Sequence, residues 1–325
     1  GAMNARNTFQ QRVPFNIRHD VGGSAGGPIW IPKVYNGKDK TFFFFTFETF
    51  PGRSERVSSP NVPTVRMRAG DFSALLPGTV VRDPFTGQPF AGNLIPASML
   101  NAVSTRVQER FYPRPNFGDP NSFVGNWRGA IPGSAFAHNL TGRLDHRVSQ
   151  ANSFFARYTY ARRGSQVSDS DLPAVGNRQQ NRRAVALTLA DTHIISPQII
   201  NEFRYGYVFN TNPYGIPPSG AALVSELGLE GLSPTLPPIN GMPFFNITGF
   251  TAVSTSEPFG YAFESIHNFM NNVTWTKWSH TIKTGIEVRR NMGAAYASNP
   301  NGAFGNYSFT GAYSGFAYAD FLLGI

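Results

Sequence analysis

The feature that most constrains this chain is a period-two alternation of apolar and polar residues that returns in several separate stretches. Successive side chains of a strand point to opposite faces. From 140 to 148, Leu140, Gly142, Leu144, His146 and Val148 therefore share one face, while Thr141, Arg143, Asp145 and Arg147 share the other. After a short turn at 149–152, the run at 153–163 sets Phe154, Ala156, Tyr158 and Tyr160 against Phe155, Arg157, Thr159 and Ala161. The pattern predicts an antiparallel hairpin over 139–163.

The same unit recurs. Val185, Leu187 and Leu189 lead to a turn at Ser196, Pro197 and Gln198, after which Phe203, Tyr205, Tyr207 and Phe209 alternate with Glu202, Arg204, Gly206 and Val208, a hairpin over 184–210. A third covers 267–290: Phe269, Val273 and Trp275 precede a tight connection at 277–280, and Ile282, Ile286 and Val288 then face away from Lys283, Glu287 and Arg289. A fourth fits near 16–52, with 17–29 paired to 41–50 across the polar link 36–40. Short turns alternate with long connections at 53–138, 164–183, 211–266 and 291–313.

Strands of about ten alternating residues, with short turns at one end and long loops at the other, are the pattern of a transmembrane β-barrel of the outer-membrane type. A soluble β-sandwich carries shorter loops between shorter strands. Only 14% of the chain is charged, against about 25% in an ordinary soluble domain. No apolar run reaches the roughly eighteen residues of a membrane helix, so a membrane-spanning form has to use strands. Aromatics gather where strands are expected to end, at Phe50, Phe154, Tyr160, Phe209, Trp275, Trp278, Phe316 and Tyr318, as in an interfacial girdle. The last five residues, Phe321 to Ile325, read as an apolar strand-like run that stops without a turn. Both ends read as cut, and the chain as part of a longer one.

Catalytic and metal signals are weak. With no cysteine there is no disulfide framework, thiolate site or cysteine nucleophile. Gly22-Gly23-Ser24-Ala25-Gly26 satisfies G-x-S-x-G, but no helical periodicity follows it, and a nucleophile elbow needs a strand-to-helix turn. The six histidines, His19, His138, His146, His193, His267 and His280, show no ligand spacing. Asp169 and Asp171 lack the later glycine and glutamate of a calcium loop. The chain is therefore expected not to be an enzyme and to carry no cofactor or metal. A formal charge of +9 invites a nucleic-acid reading, yet the arginines are scattered, with adjacent pairs only at Arg162-Arg163, Arg182-Arg183 and Arg289-Arg290, so no nucleic-acid partner is expected.

A set of motifs runs in order through nearly the whole chain: Asn4-Ala5-Arg6-Asn7 with Phe9; Gly22-Gly23-Ser24-Ala25-Gly26-Gly27-Pro28-Ile29; Lys38-Asp39-Lys40-Thr41-Phe42-Phe43-Phe44; Arg68-Ala69-Gly70-Asp71-Phe72-Ser73; Asp83-Pro84-Phe85-Thr86-Gly87-Gln88-Pro89-Phe90; Gly92-Asn93-Leu94-Ile95-Pro96; Tyr112-Pro113-Arg114-Pro115-Asn116; Gly142-Arg143-Leu144-Asp145-His146; and Ala319-Asp320-Phe321-Leu322-Leu323-Gly324. Through them the chain resembles the TonB-dependent outer-membrane receptors, specifically the Oar-like group with an N-terminal carboxypeptidase-regulatory-like domain. The resemblance implies an all-β antiparallel barrel of about 22 strands, of which this chain would supply about eight or nine. It also implies a bacterial outer-membrane location, contact with membrane lipid, and energised import of a small solute or oligomer (siderophore, oligosaccharide or peptide). That import would be driven by the TonB-ExbB-ExbD complex through a plug and TonB box that lie outside this stretch.

Arg143, Asp145, Arg157, Glu202, Arg204, Lys283, Glu287 and Arg289 are then the candidate lumen-facing residues, a hydrated, charge-paired wall whose basic excess would favour anionic solutes. Two other readings stand beside import: a surface adhesion or structural barrel that transports nothing, and a soluble β-rich carbohydrate-binding module.

Overall fold

The computed structural model describes residues 13–168, 170–215, 220–232, 241–254, 259–297 and 304–325. Eight long strands form one antiparallel sheet in which each strand pairs with its neighbours in sequence. They are β1 (Asn16–Arg18 continued by Val21–Pro28), β2 (Thr41–Thr49 continued by Gly52–Ser58), β3 (Gly129–Arg147), β4 (Asn152–Val167), β5 (Arg178–Ser196), β6 (Ile199–Thr211), β7 (Phe259–Lys277) and β8 (His280–Ala297). The break in β2 has a local cause, because Pro51 has no N–H for the ladder. Its carbonyl still accepts from His19 N at 2.9 Å, and Phe50 N donates to Ala137 O at 2.8 Å, so β1 and β2 resume pairing on the far side.

The turns at 148–151, 197–198 and 278–279 all lie at one end of the sheet, together with the connection between β1 and β2. That connection is longer than the five-residue link expected and carries a miniature hairpin, Trp30–Ile31 against Tyr35–Asn36. The strands outrun the sequence alternation: β3, β5 and β7 have 19 residues each. Beyond Tyr160 and Val185 both faces turn polar, as in Arg163, Ser165 and Gln166 opposite Arg182, Gln180 and Gln179, and only the backbone ladder continues. Nineteen residues span roughly 60 Å, well beyond an apolar band of about 25 Å. The long connections are correspondingly shorter than the alternation suggests; the first is 59–128 and the second 168–177.

These connections fold together into a cap with its own core. Val62, Phe72, Val81, Val107 and Phe111 come from the first connection, Leu172 and Val175 from the second, Leu223, Leu227, Ile247, Phe250 and Val253 from the third, and Tyr318, Phe321 and Leu322 from the last. The cap holds helices α1 (Val65–Arg68), α2 (Ala102–Phe111), α3 (Gly220–Leu227) and α4 (Ala317–Leu323), and a parallel pair, Phe244–Ile247 with Asn306–Phe309.

Irregular backbone buried in such a core needs partners, and a few polar side chains supply them. Asn93 accepts from Val81 N at 2.7 Å and donates to the carbonyls of Phe72 and Thr79 at 2.8 and 3.0 Å. Asn126 brackets Val62 in the same way, accepting from its N–H and donating to its carbonyl. Buried Arg68 donates to the carbonyls of Tyr112 and Gln108 and to Glu109 Oε1 at 2.8 Å. Gln108 returns a bond to Arg68 O and accepts from Tyr318 Oη at 2.7 Å.

The end of the chain differs from the strand expected there. Residues 317–323 are α4, capped by Gly324 in the left-handed region at φ 71°, which glycine enters without a Cβ penalty. Phe316 and Tyr318 belong to the cap core rather than to an interfacial girdle; Tyr318 is fully buried against Phe250 and Phe321. The reason is the environment: an apolar strand-like run joins a sheet only if a paired strand is available, and here the apolar residues close the cap over α2, with Asn101 N donating to Leu322 O at 2.7 Å.

Two outcomes follow for the cap. Phe321→Ala removes a fully buried ring and should cost about 3–5 kcal/mol, read as surface proteolysis of the loops in intact cells while the barrel keeps its heat-modifiable gel mobility. Burial raises the pKa of Tyr318, with Tyr112 beside it, and burial raises Tyr112 as well. The stability these phenols contribute is full below the ordinary tyrosine range and is lost as pH rises above about 10. Protease protection of the cap should therefore hold at pH 8 and fall above about pH 10.

Candidate functional site

Register assigns every strand residue to one of two faces, because directly paired residues of an antiparallel sheet point the same way. One row reads Phe43, Leu144, Ala156, Leu189, Tyr205, Phe269 and Val288 from β2 to β8. The row beside it, on the opposite face, reads Phe44, Arg143, Arg157, Thr188, Gly206, Asn268 and Arg289. The sheet thus has an apolar face that holds across seven consecutive strands and a polar face that holds from β3 to β8; β2 carries phenylalanine on both, with Phe42 and Phe44 beside Asp145 and Arg143.

All eight charged residues expected on one wall fall on the polar face. Asp145 shares a row with Phe155, Ala190, Arg204, Met270 and Glu287, and Glu202 pairs with Thr192 and Asn272, next to the Thr274–Lys283 pair. Three ion pairs result, two of them within a strand and one reaching across β7. Arg143 grips Asp145 with two hydrogen bonds, Nε to Oδ2 at 2.8 Å and a terminal nitrogen to Oδ1 at 2.7 Å, while its guanidinium lies 4.2 Å from the Phe155 ring centroid. Arg289 donates to Glu287 Oε1 at 3.1 Å, and Lys283 Nζ stands 3.7 Å from Glu202 Oε2. Arg157 and Arg204 have no carboxylate partner among the described residues. Five bases and three acids leave this set at +2. Thr188 and Gly206, opposite one another in the Arg157 row, leave room above the sheet there.

At the short-turn end a shallow depression of about 280 Å³ opens on the same face, lined among others by Lys40, Arg143, Asp145, Arg147 and Phe155. Sequence reasoning on alternation alone missed that Arg162 and Arg163 come directly opposite Arg183 and Arg182. The signal was present in the two doublets, which flank one connection at matching distances.

The weaker sequence signals resolve into structural roles. Ser24 lies in the middle of β1, paired with Thr46, and no helix follows it. Four histidines are each held by one hydrogen bond, at different points of the sheet: His138 to Thr49 Oγ1, His146 to Thr41 Oγ1, His193 to Asn152 and His267 to Tyr205 Oη. No group of three potential metal ligands occurs among the described residues. Asp171 binds Arg56 and Ser58, and Asp169 lies outside the described residues. Trp275 and Trp278 do sit beside the β7–β8 turn, with Lys277 Nζ 4.5 Å from the Trp278 ring centroid.

With this geometry in place, the chain matches the family described as outer membrane beta barrel domain over residues 1–325. It belongs to that family, and its place is the bacterial outer membrane. No curated protein matches it. Among solved structures it is similar to the outer membrane transporter YddB from Escherichia coli, at 6% identity and a TM-score of 0.44, over 92% of this chain and 28% of that one. The chain thus spans little more than a quarter of that transporter's length.

The Arg143–Asp145 pair is about 40% exposed on both sides, and such pairs contribute about 0–1 kcal/mol. Asp145→Asn should therefore leave barrel stability unchanged within about 1 kcal/mol, measured by urea unfolding in lipid vesicles, while freeing Arg143 to bind other anions.

Proposed function

We propose that this sheet is wall, and its cap the outward-facing gate region, of a TonB-dependent, ligand-gated importer of the Oar-like group, with no catalytic role. The apolar face meets lipid and the polar face lines a water-filled lumen, as in other outer-membrane barrels. The observation that carries this reading is that most charge is separated from apolar surface across consecutive strands, Asp191 near the short turns and the arginines further along the apolar face being the exceptions, with every long connection gathered at one end. The short turns then lie on the periplasmic side. There, parts outside this stretch would engage the TonB-ExbB-ExbD complex.

The unpaired Arg157 and Arg204 and the net positive polar face favour an anionic solute, such as a carboxylate-rich chelate, an acidic oligosaccharide or an acidic peptide. Charge lining a passage raises the local concentration of the opposite charge. The alternative in which the barrel presents its folded cap for adhesion and transports nothing predicts solute-independent surface binding.

Uptake of labelled anionic solutes into cells carrying the full-length protein, with and without a functional TonB complex, separates the two. Loss of uptake without TonB establishes active import; surface binding with no TonB-dependent uptake of any solute supports adhesion instead. Within import, Arg157→Glu combined with Arg204→Glu should lower uptake of the anionic solute about tenfold, equivalent to about 1.4 kcal/mol, with neutral solutes unaffected.

A further inference from the structure

The arginine doublets form two like-charged pairs directly across β4 and β5: Arg162 with Arg183 and Arg163 with Arg182. Like charges directly opposite each other destabilise a sheet, and none of the four has a carboxylate partner among the described residues. On the polar face, Arg182 Nε donates to Asn212 Oδ1 at 3.1 Å. On the apolar face, Arg162 and Arg183 follow Tyr160 and Val185 at the point where apolar residues stop; the next residues outward on that face are Gly164 and Asn181, then Gln166 and Gln179.

Aromatic rings hold the two guanidinium groups there. Arg162 lies 5.5 Å from the Phe136 ring centroid and Arg183 5.7 Å from that of Tyr160. Arg162 Nε also donates to Asn181 Oδ1 at 3.1 Å. Both arginines are exposed, so the remaining N–H groups point to whatever surrounds this face.

Their height above the short turns identifies the surroundings. Arg162 stands ten residues beyond Asn152, where β4 begins, and Arg290, on the same face of β8, stands ten beyond His280. At about 3.3 Å per residue and a strand tilt of about 40°, ten residues rise about 25 Å, the thickness of the apolar band. The arginines therefore lie where the hydrocarbon of the outer leaflet gives way to headgroups.

We infer that Arg162 and Arg183 form a binding site for a phosphorylated headgroup of an outer-leaflet lipid. One phosphate between the two guanidinium groups would accept from both and cancel their repulsion. Arginine's planar fork suits such bidentate contact with phosphate oxygens. The lipid's acyl chains would lie along Tyr158, Leu187 and Tyr160 below. The inference rests on the reading of the apolar face as lipid-facing, and the pair Arg163–Arg182 provides a charge-matched control for it.

The test uses the full-length protein extracted from its outer membrane in mild detergent, with native mass spectrometry to count retained phosphorylated lipid. Added lipid with its phosphate, the same lipid after phosphatase treatment, and inorganic phosphate are then titrated in turn. Wild-type protein and the Arg163→Gln/Arg182→Gln variant should retain the lipid, and Arg162→Gln/Arg183→Gln should retain at least tenfold less. Arg183→Glu, which gives Arg162 an internal partner and so preserves the sheet, should lose it too. Dephosphorylated lipid should bind at least tenfold more weakly, and millimolar inorganic phosphate should not displace the intact lipid.

Equal retention by the Arg162→Gln/Arg183→Gln and Arg183→Glu variants, or equal binding of dephosphorylated lipid, overturns the site. Displacement of the lipid by inorganic phosphate overturns the lipid assignment in favour of a simple anion site. Loss confined to Arg163→Gln/Arg182→Gln overturns the assignment of faces instead. TonB-dependent uptake is scored separately and does not enter this readout.

Discussion

Everything in this structure depends on one constraint: in hydrocarbon, each backbone N–H and C=O has to find its partner within the protein. A helix would satisfy it locally, but the chain has no run apolar enough for one. The remaining solution is a ladder between neighbouring strands. The sequential pairing from β1 to β8 supplies it, with the shorter connections gathered at one end. The alternation of side chains follows from the same geometry, since a strand between lipid and water must be apolar at every second residue and is free to be charged at the others.

The cap meets the same requirement by other means. Its backbone is irregular and partly buried, so side-chain amides and a guanidinium replace the ladder. Asn93, Asn126 and Arg68 each bind two or more backbone groups from segments distant in sequence. Asp320 fixes the turn before α4 more locally, accepting from Ser314 N at 2.8 Å and Ser314 Oγ at 2.6 Å. These bonds explain why motifs such as Gly92-Asn93-Leu94 and Ala319-Asp320-Phe321 stand out in the sequence without any catalytic signature. They organise backbone, and the apolar residues beside them form the core.

The wall was legible because its signal is local. Arg143 and Asp145 could be placed on one face from period two alone, and so could Glu202, Lys283 and Arg289, since a single strand's pattern assigns each residue to a face. Strand ends were not legible where pairing outlasts alternation. Gln179, Gln180 and Asn181 carry no facial pattern, because water lies on both sides of them. The cap was hidden for the opposite reason. Its core joins Val62, Leu172, Leu223 and Tyr318, residues of four separate connections, and no window of sequence contains that contact. The run at 317–323 shows the difficulty: Tyr318, Phe321 and Leu322 fit a helix face buried on α2 as well as a membrane strand, and only the partner decides between them.

Because four connections share one core, the cap cannot move loop by loop. A displacement at 220–227 is felt at α2, where Arg106 donates to Leu227 O at 2.6 Å and Arg110 to Glu226 Oε1 at 3.1 Å, and from α2 at Tyr318 through Gln108. Close-packed interiors transmit such shifts rather than absorb them. The cap is also tied to the sheet, since Asp171 in the β4–β5 connection binds Arg56 and Ser58 of β2. The extended strand ends that rise beyond the apolar band are the mounts for this unit. A displacement of the cap therefore bears on several strands of the sheet at once, which is a mechanical arrangement that separate flexible loops would not provide.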